Sequence, residues 1–106
     1  SFCFLFSEDF FLEDLNENSV SYGELVGPSS FTNEVSLVYF GHYNWGTCAA
    51  RFGQLNDLYD NLKSENYPVE LIGIGKGTQI DYIENWTNDN DAPVCADPSP
   101  FSTWTG

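Results

Sequence analysis

The chain has 106 residues, 42% of them hydrophobic and 17% aromatic, which suffices for one packed domain and leaves no room for a second core. Sixteen Asp and Glu against three Lys and Arg give a formal net charge of −13. That surface repels phosphate backbones and anionic lipid, which argues against nucleic-acid and membrane-surface partners, and no apolar run reaches the ~18–20 residues that cross a bilayer.

Residues 1–9 read as an N-terminal extension. The opening SFCFLF has no Met and no basic stretch, so it is not an intact signal peptide. A chain that starts at Ser1 and contains no Met points to processing or to a fragment. Residues 10–15 mix apolar and acidic positions, and LNENSVSYGELVGPSS then reads as turns around a short strand. Val35 to Phe40 is a near-continuous β-prone run, suited to a central strand covered on both faces.

From Thr47 the period changes. Cys48, Phe52, Leu55, Leu58 and Leu62 form one stripe of a helix that reaches about Ser64, with Gln54, Asp57 and Asn61 on the wet side and Thr47 as N-cap. A second strand covers Val69 to Ile74. TQIDYIENW predicts a short helix with Ile80, Ile83 and Trp86 inward, and PVCAD predicts a strand with Pro93 at its first position. Residues 98–106 are too rich in Pro and Ser to be regular. The order β–α–β–α–β, with a helical crossover of 19 residues, makes the first two strands parallel and their connection right-handed. In such sheets chemistry gathers beyond the carboxyl ends of the strands, where the loop Gly41–Thr47 lies.

Four features there are candidates. Cys48 at a helix start is placed for the first-turn N–H groups and the macrodipole to stabilise a thiolate. The competing reading is a small buried hydrophobe on the helix stripe. His42, the single histidine, reads as a base, a metal ligand or a polar surface group. Arg51, one turn into the helix, is placed either to favour a thiolate electrostatically or simply to face solvent. Cys95, two residues past Pro93, is the residue expected to approach Cys48 across the sheet ends. With Cys3, the cysteines number three, so at least one has no partner within the chain. Asn85-Trp86-Thr87 matches the N-glycosylation pattern.

The segment LVYFGHYNWGTCAARF resembles the active-site stretch of thioredoxin-fold redoxins, in which a strand leads to a C-x-x-C pair at a helix start. The resemblance puts Trp45 and Cys48 on that pair. APVCADP is similar to the family's strand entered through a cis-proline, which would make Pro93 cis and place it in the substrate groove. The lead segment FFLEDLNENSVSYGELVGP resembles bacterial redoxins of the alkyl-hydroperoxide-reductase and thiol-disulfide-oxidoreductase group, and the likeness covers roughly residues 10–104. It implies an α/β thioredoxin-like fold and an oxidoreductase acting on protein thiols, disulfides or peroxides.

Two departures qualify this. Trp45 stands where the attacking cysteine belongs, and exchange needs both a nucleophilic and a resolving thiol. The site is therefore impaired or unconventional, or the gene encodes selenocysteine at 45, as in similar seleno-redoxins, and its UGA codon has been read as Trp. The chain also stops after the proline-led strand, without the family's last strand and helix. That would leave an open edge for self-association, with FCFLF (residues 2–6) as a strand to add to it.

The rival function is a non-catalytic thioredoxin-fold binding or structural protein, its groove filled by the Trp45 indole. A copper site of Cys48, Cys95 and His42 is a weaker third reading, because the paired cysteines of copper chaperones are missing. No cofactor is otherwise implied. The acidity, the odd cysteine and the sequon favour a secreted, periplasmic or extracellular setting.

Overall fold

The structure is a computed structural model that describes residues 10–30, 34–100 and 103. The described chain opens with a short antiparallel pair, β1 (Leu12–Glu13) and β2 (Leu25–Val26). The connection turns at Gly23, whose φ of +85° lies in the left-handed region that glycine tolerates without steric cost. Three strands then form a parallel sheet: β3 (Val35–Phe40), β4 (Val69–Lys76) and β5 (Val94–Asp97), in that spatial order. Phe40 is level with Ile74, and Ile74 with Cys95. Helix α1 (Gly46–Ser64) joins β3 to β4. A 3-10 turn (Gly77–Tyr82) and the short α2 (Glu84–Thr87) join β4 to β5. The result is a small mixed α/β domain.

Both crossovers step the same way across the sheet, so two connections of one hand put both helices on one face. On that face Tyr39, Leu71 and Val94 of the sheet pack with Phe52 and Tyr59 of α1, Trp86 of α2 and Tyr43 of the loop after β3. The opposite face carries Val38, Ile72, Ile74 and Cys95, covered by Val26, with Phe10, Leu12 and Phe40 at its margin. The helix face has little room to spare. A Cβ on Gly73 would lie 2.6 Å from the Phe52 ring, and one on Gly75 would lie 2.5 Å from the Tyr43 ring. These two glycines of LIGIG are what let aromatic rings lie flat on β4, where any side chain would overpack.

β3 has the predicted limits, α1 starts at Gly46, two residues before the Cys48 that a Thr47 N-cap implies, and β4 runs two residues beyond Ile74. Other expectations are corrected. The N-cap of α1 is Trp45, not Thr47, and it gives the first turn no side-chain oxygen. Of the predicted stripe, Phe52 is fully buried, Cys48 and Leu55 pack partly buried against the core, and Leu58 is 48% exposed; the other fully enclosed residues of α1 are Asn56 and Tyr59. Asn56 can be buried because its Oδ1 accepts the Ala92 N–H at 3.0 Å. In the second crossover Trp86 is fully buried and Ile83 partly so, but Ile80 faces outward because its turn is a 3-10 turn, not an α-helix.

Pro93 does not have a cis bond: the one cis peptide among the described residues precedes Pro100. Nor does Pro93 flank β3, since β4 lies between β5 and β3. The edge of β5 is not bare at Val94 either. Leu15 N–H donates to the Val94 carbonyl at 2.8 Å, and Asp14 Oδ1 accepts the Val94 N–H at 3.2 Å. Asn16 holds this segment in place, its Nδ2 donating to the carbonyls of Asn90 at 2.9 Å and Ala92 at 2.8 Å. The stretch FCFLF lies outside the described residues. No described helix is long and apolar enough to cross a membrane.

Candidate functional site

The loop Gly41–Trp45 leaves the carboxyl end of β3 and turns into α1, with Trp45 N–H donating to the His42 carbonyl at 3.2 Å. Tyr43 anchors it. Its side chain is fully buried on Gly75, and its hydroxyl donates to the Cys95 carbonyl and accepts the Gly75 N–H at 3.3 Å. Its backbone is also held: the N–H donates to Gln79 Oε1 at 3.2 Å, and the carbonyl accepts from Asn85 Nδ2 at 2.9 Å. One aromatic residue therefore ties the loop to β4, β5 and the second crossover. This gives Asn85 of the glycosylation pattern an internal task, beside a wholly buried Trp86.

On this anchored loop the His42 and Trp45 rings lie against each other at a tilt, centroids 4.1 Å apart and planes inclined by 34°. Trp45 is 56% exposed, so its indole forms part of the outer surface of the site. Gln79 Nε2 lies 3.2 Å from His42 Nδ1. Cys48 follows as the third residue of α1, partly buried at the edge of the aromatic core and not in a disulfide.

Sequence reasoning overlooked Tyr39. Its hydroxyl donates to the Cys48 carbonyl at 3.4 Å. Burial first, then a hydrogen bond with the Cys48 side chain and the charge there, push its ionisation up to about 12, with Arg51 opposing. The phenol thus stays protonated beside Cys48 and can only be a donor when that sulfur is a thiolate. A signal was present in the sequence: side chains alternate along β3, so a tyrosine one residue before the strand's end, on the helix face, sits below the first turn of α1. Arg51 is exposed one turn further on and lines a shallow groove with Gln54, Leu55 and Leu58.

Cys95 is not brought to this site. It lies on the opposite face of the sheet from Cys48, fully buried, with its thiol directed at the Leu12 carbonyl at 3.8 Å. Burial above all, then the charges of Asp14 and Glu13, push that thiol's ionisation up. The alternation that puts Val94 on the helix face puts Cys95 on the other. Cys48, Cys95 and His42 therefore do not converge, and no group of three metal-ligating side chains occurs among the described residues. Pro93 is buried at the entry to β5, away from the loop.

The site is thus a partly buried cysteine at a helix start, a phenol donating to its backbone carbonyl, and a tilted His–Trp pair on an anchored loop. No family model matches this chain, and no curated protein shows significant similarity to it.

Proposed function

We propose that this chain is a thioredoxin-like domain of redoxin type, an oxidoreductase for protein thiols and disulfides or for peroxides, with an unconventional site. The observation that supports this reading most directly is the placement of Cys48. It lies in the first turn of a helix entered from the carboxyl end of a parallel strand, partly exposed and with a protonated Tyr39 against it. Such a site suits a thiolate that must be reached by a second sulfur or by a peroxide oxygen.

In a complete pair the residue at 45 attacks the substrate disulfide and expels one thiolate. Cys48 then displaces the other, leaving a 45–48 bridge that an external dithiol reduces. With tryptophan at 45, Cys48 alone remains. Its thiolate displaces one half of a disulfide, and the mixed disulfide waits for an external thiol. Tyr39 O–H, which donates to the Cys48 carbonyl, stays protonated beside that residue. A redoxin also has a cis-proline strand beside the active-site strand. Pro93 does not supply one, and among the described residues β3 is an edge strand on the side where it would lie.

Peptide mass spectrometry across residue 45 separates selenocysteine from tryptophan. Trp45→Cys then tests the reading: insulin-disulfide reduction should rise at least tenfold over wild type and fall away in Trp45→Cys/Cys48→Ser. A folded Trp45→Cys protein with no gain overturns it.

One observation favours the second reading, a non-catalytic binding module. The Trp45 indole is more than half exposed and lies against the His42 ring, which is how an aromatic contact residue is presented. A wild-type protein whose Cys48 resists alkylation, and whose Trp45→Cys variant stays inert, would establish that reading.

A further inference from the structure

Gln79 sits on the turn after β4, where no sequence pattern singled it out, and it touches the loop twice. Its Oε1 accepts the Tyr43 N–H at 3.2 Å, and its Nε2 stands 3.2 Å from His42 Nδ1. A backbone N–H can only donate, so the amide atom facing it must be the oxygen. The end that faces the imidazole is then the NH2, which can only donate in turn. His42 Nδ1 must accept, and a neutral imidazole that accepts at Nδ1 carries its proton on Nε2. We infer that Gln79 is a positioning residue for this site: it holds His42 as the Nε2–H tautomer, a hydrogen-bond donor whose proton-accepting nitrogen is covered.

This changes what His42 can do. A base made of this ring would take its proton at Nδ1, straight against the amide hydrogens of Gln79. A soft metal would need that same lone pair. The remaining ring proton is then on Nε2, and the indole of Trp45 lies tilted against the ring, centroids 4.1 Å apart. On the thiol-redox reading this removes His42 as the base that would activate Cys48; the tautomer itself does not rest on that reading.

Because the chain has a single histidine, a long-range proton–nitrogen correlation spectrum of ring-labelled protein reports one ring. At alkaline pH, with the ring neutral, the wild type should show a protonated Nε2 and a bare Nδ1. Gln79→Glu still accepts the Tyr43 N–H but turns an acceptor towards the ring, so the proton should move to Nδ1 or the ring should charge. A wild-type ring protonated on Nδ1 overturns the inference. So does a folded Gln79→Glu protein with an unchanged tautomer, and if that variant does not fold the wild-type spectrum alone decides. An Nε2–H ring beside a Cys48 that is inert towards disulfides leaves the tautomer standing and overturns the redox reading instead.

Discussion

Tyr43→Phe removes one oxygen from the centre of the molecule, and the structure says how much that should cost. The hydroxyl donates to the Cys95 carbonyl and accepts the Gly75 N–H. Had it been the sole partner of both, two buried groups would be orphaned at about 1–3 kcal/mol each. However, Gly75 pairs in register with Ala96 of β5, and in a parallel ladder its N–H then points at the preceding carbonyl, that of Cys95. The two groups can close their own rung, so the loss reduces to one net hydrogen bond, about 1 kcal/mol, or roughly 4–8 °C in Tm. The ring stays on Gly75, so no cavity opens. Tyr43→Ala removes the ring as well and should cost about 3–5 kcal/mol. Urea titrations of the three proteins measure both values, and cysteine alkylation provides the functional readout. The Ala variant should change the rate at Cys48, because the loop loses its anchor, while the Phe variant should not. A Phe variant as unstable as the Ala variant would refute the rung-closing argument.

Three further outcomes are expected. In the folded protein an alkylating reagent at pH 8 should modify Cys48 at least a hundredfold faster than Cys95, read peptide by peptide; equal rates would mean that the N-terminal segment does not cover the sheet. Asn16→Ala should destabilise by about 2–4 kcal/mol in chemical denaturation, since it strips hydrogen bonds from the carbonyls of Asn90 and Ala92 and from the Asn18 N–H. Partial burial, then a hydrogen bond to Asp91 and the charges of Asp91 and Asp57, raise Asp60 from 3.8 to about 6, with Lys63 opposing. The folded state thus binds this proton more tightly than the unfolded chain. The resulting stability is complete below about pH 4 and is lost as pH rises through about 6. Asp60 is exposed, so the effect should be small and salt-sensitive, and Asp91→Asn should reduce it without abolishing it, since burial is the larger cause.

β3 and β5 were legible because each is a short β-prone run with its own punctuation, and the change of period from Thr47 marked α1. The stripe of α1 was legible in part: Phe52 is in the core with Cys48 and Leu55 against it, but Asn56 and Tyr59 were missed and Leu58 faces out. Hydrophobic spacing alone prefers leucines to these two. Their burial depends on remote partners: Asn56 meets the Ala92 N–H, and the Tyr59 hydroxyl donates to Glu70. Likewise Asn16 and Asn18 were readable as turn formers, and Asp14 as one of the acidic positions of residues 10–15, but none of them as the clamp on residues 87–94. At the site, proximity in sequence revealed His42, Trp45 and Cys48. Cys95 was misassigned because strand parity decides its face, and Gln79 stayed hidden because only the folded second crossover brings it to the loop.

The segment that lies along β5 also dictates an order of assembly. Its bonds join Asp14, Leu15 and Asn16 to residues 90–94, contacts about as long-range as this chain allows. During synthesis these residues leave the ribosome early and have nothing to bind until β5 follows. Closing so long a loop costs conformational entropy that only a formed sheet can offset. The parallel sheet with its two helices should therefore form first and the N-terminal residues dock last. Until they do, Ile72, Ile74 and Cys95 face water, and a nascent chain is open to aggregation and to oxidation at a thiol that the finished fold encloses.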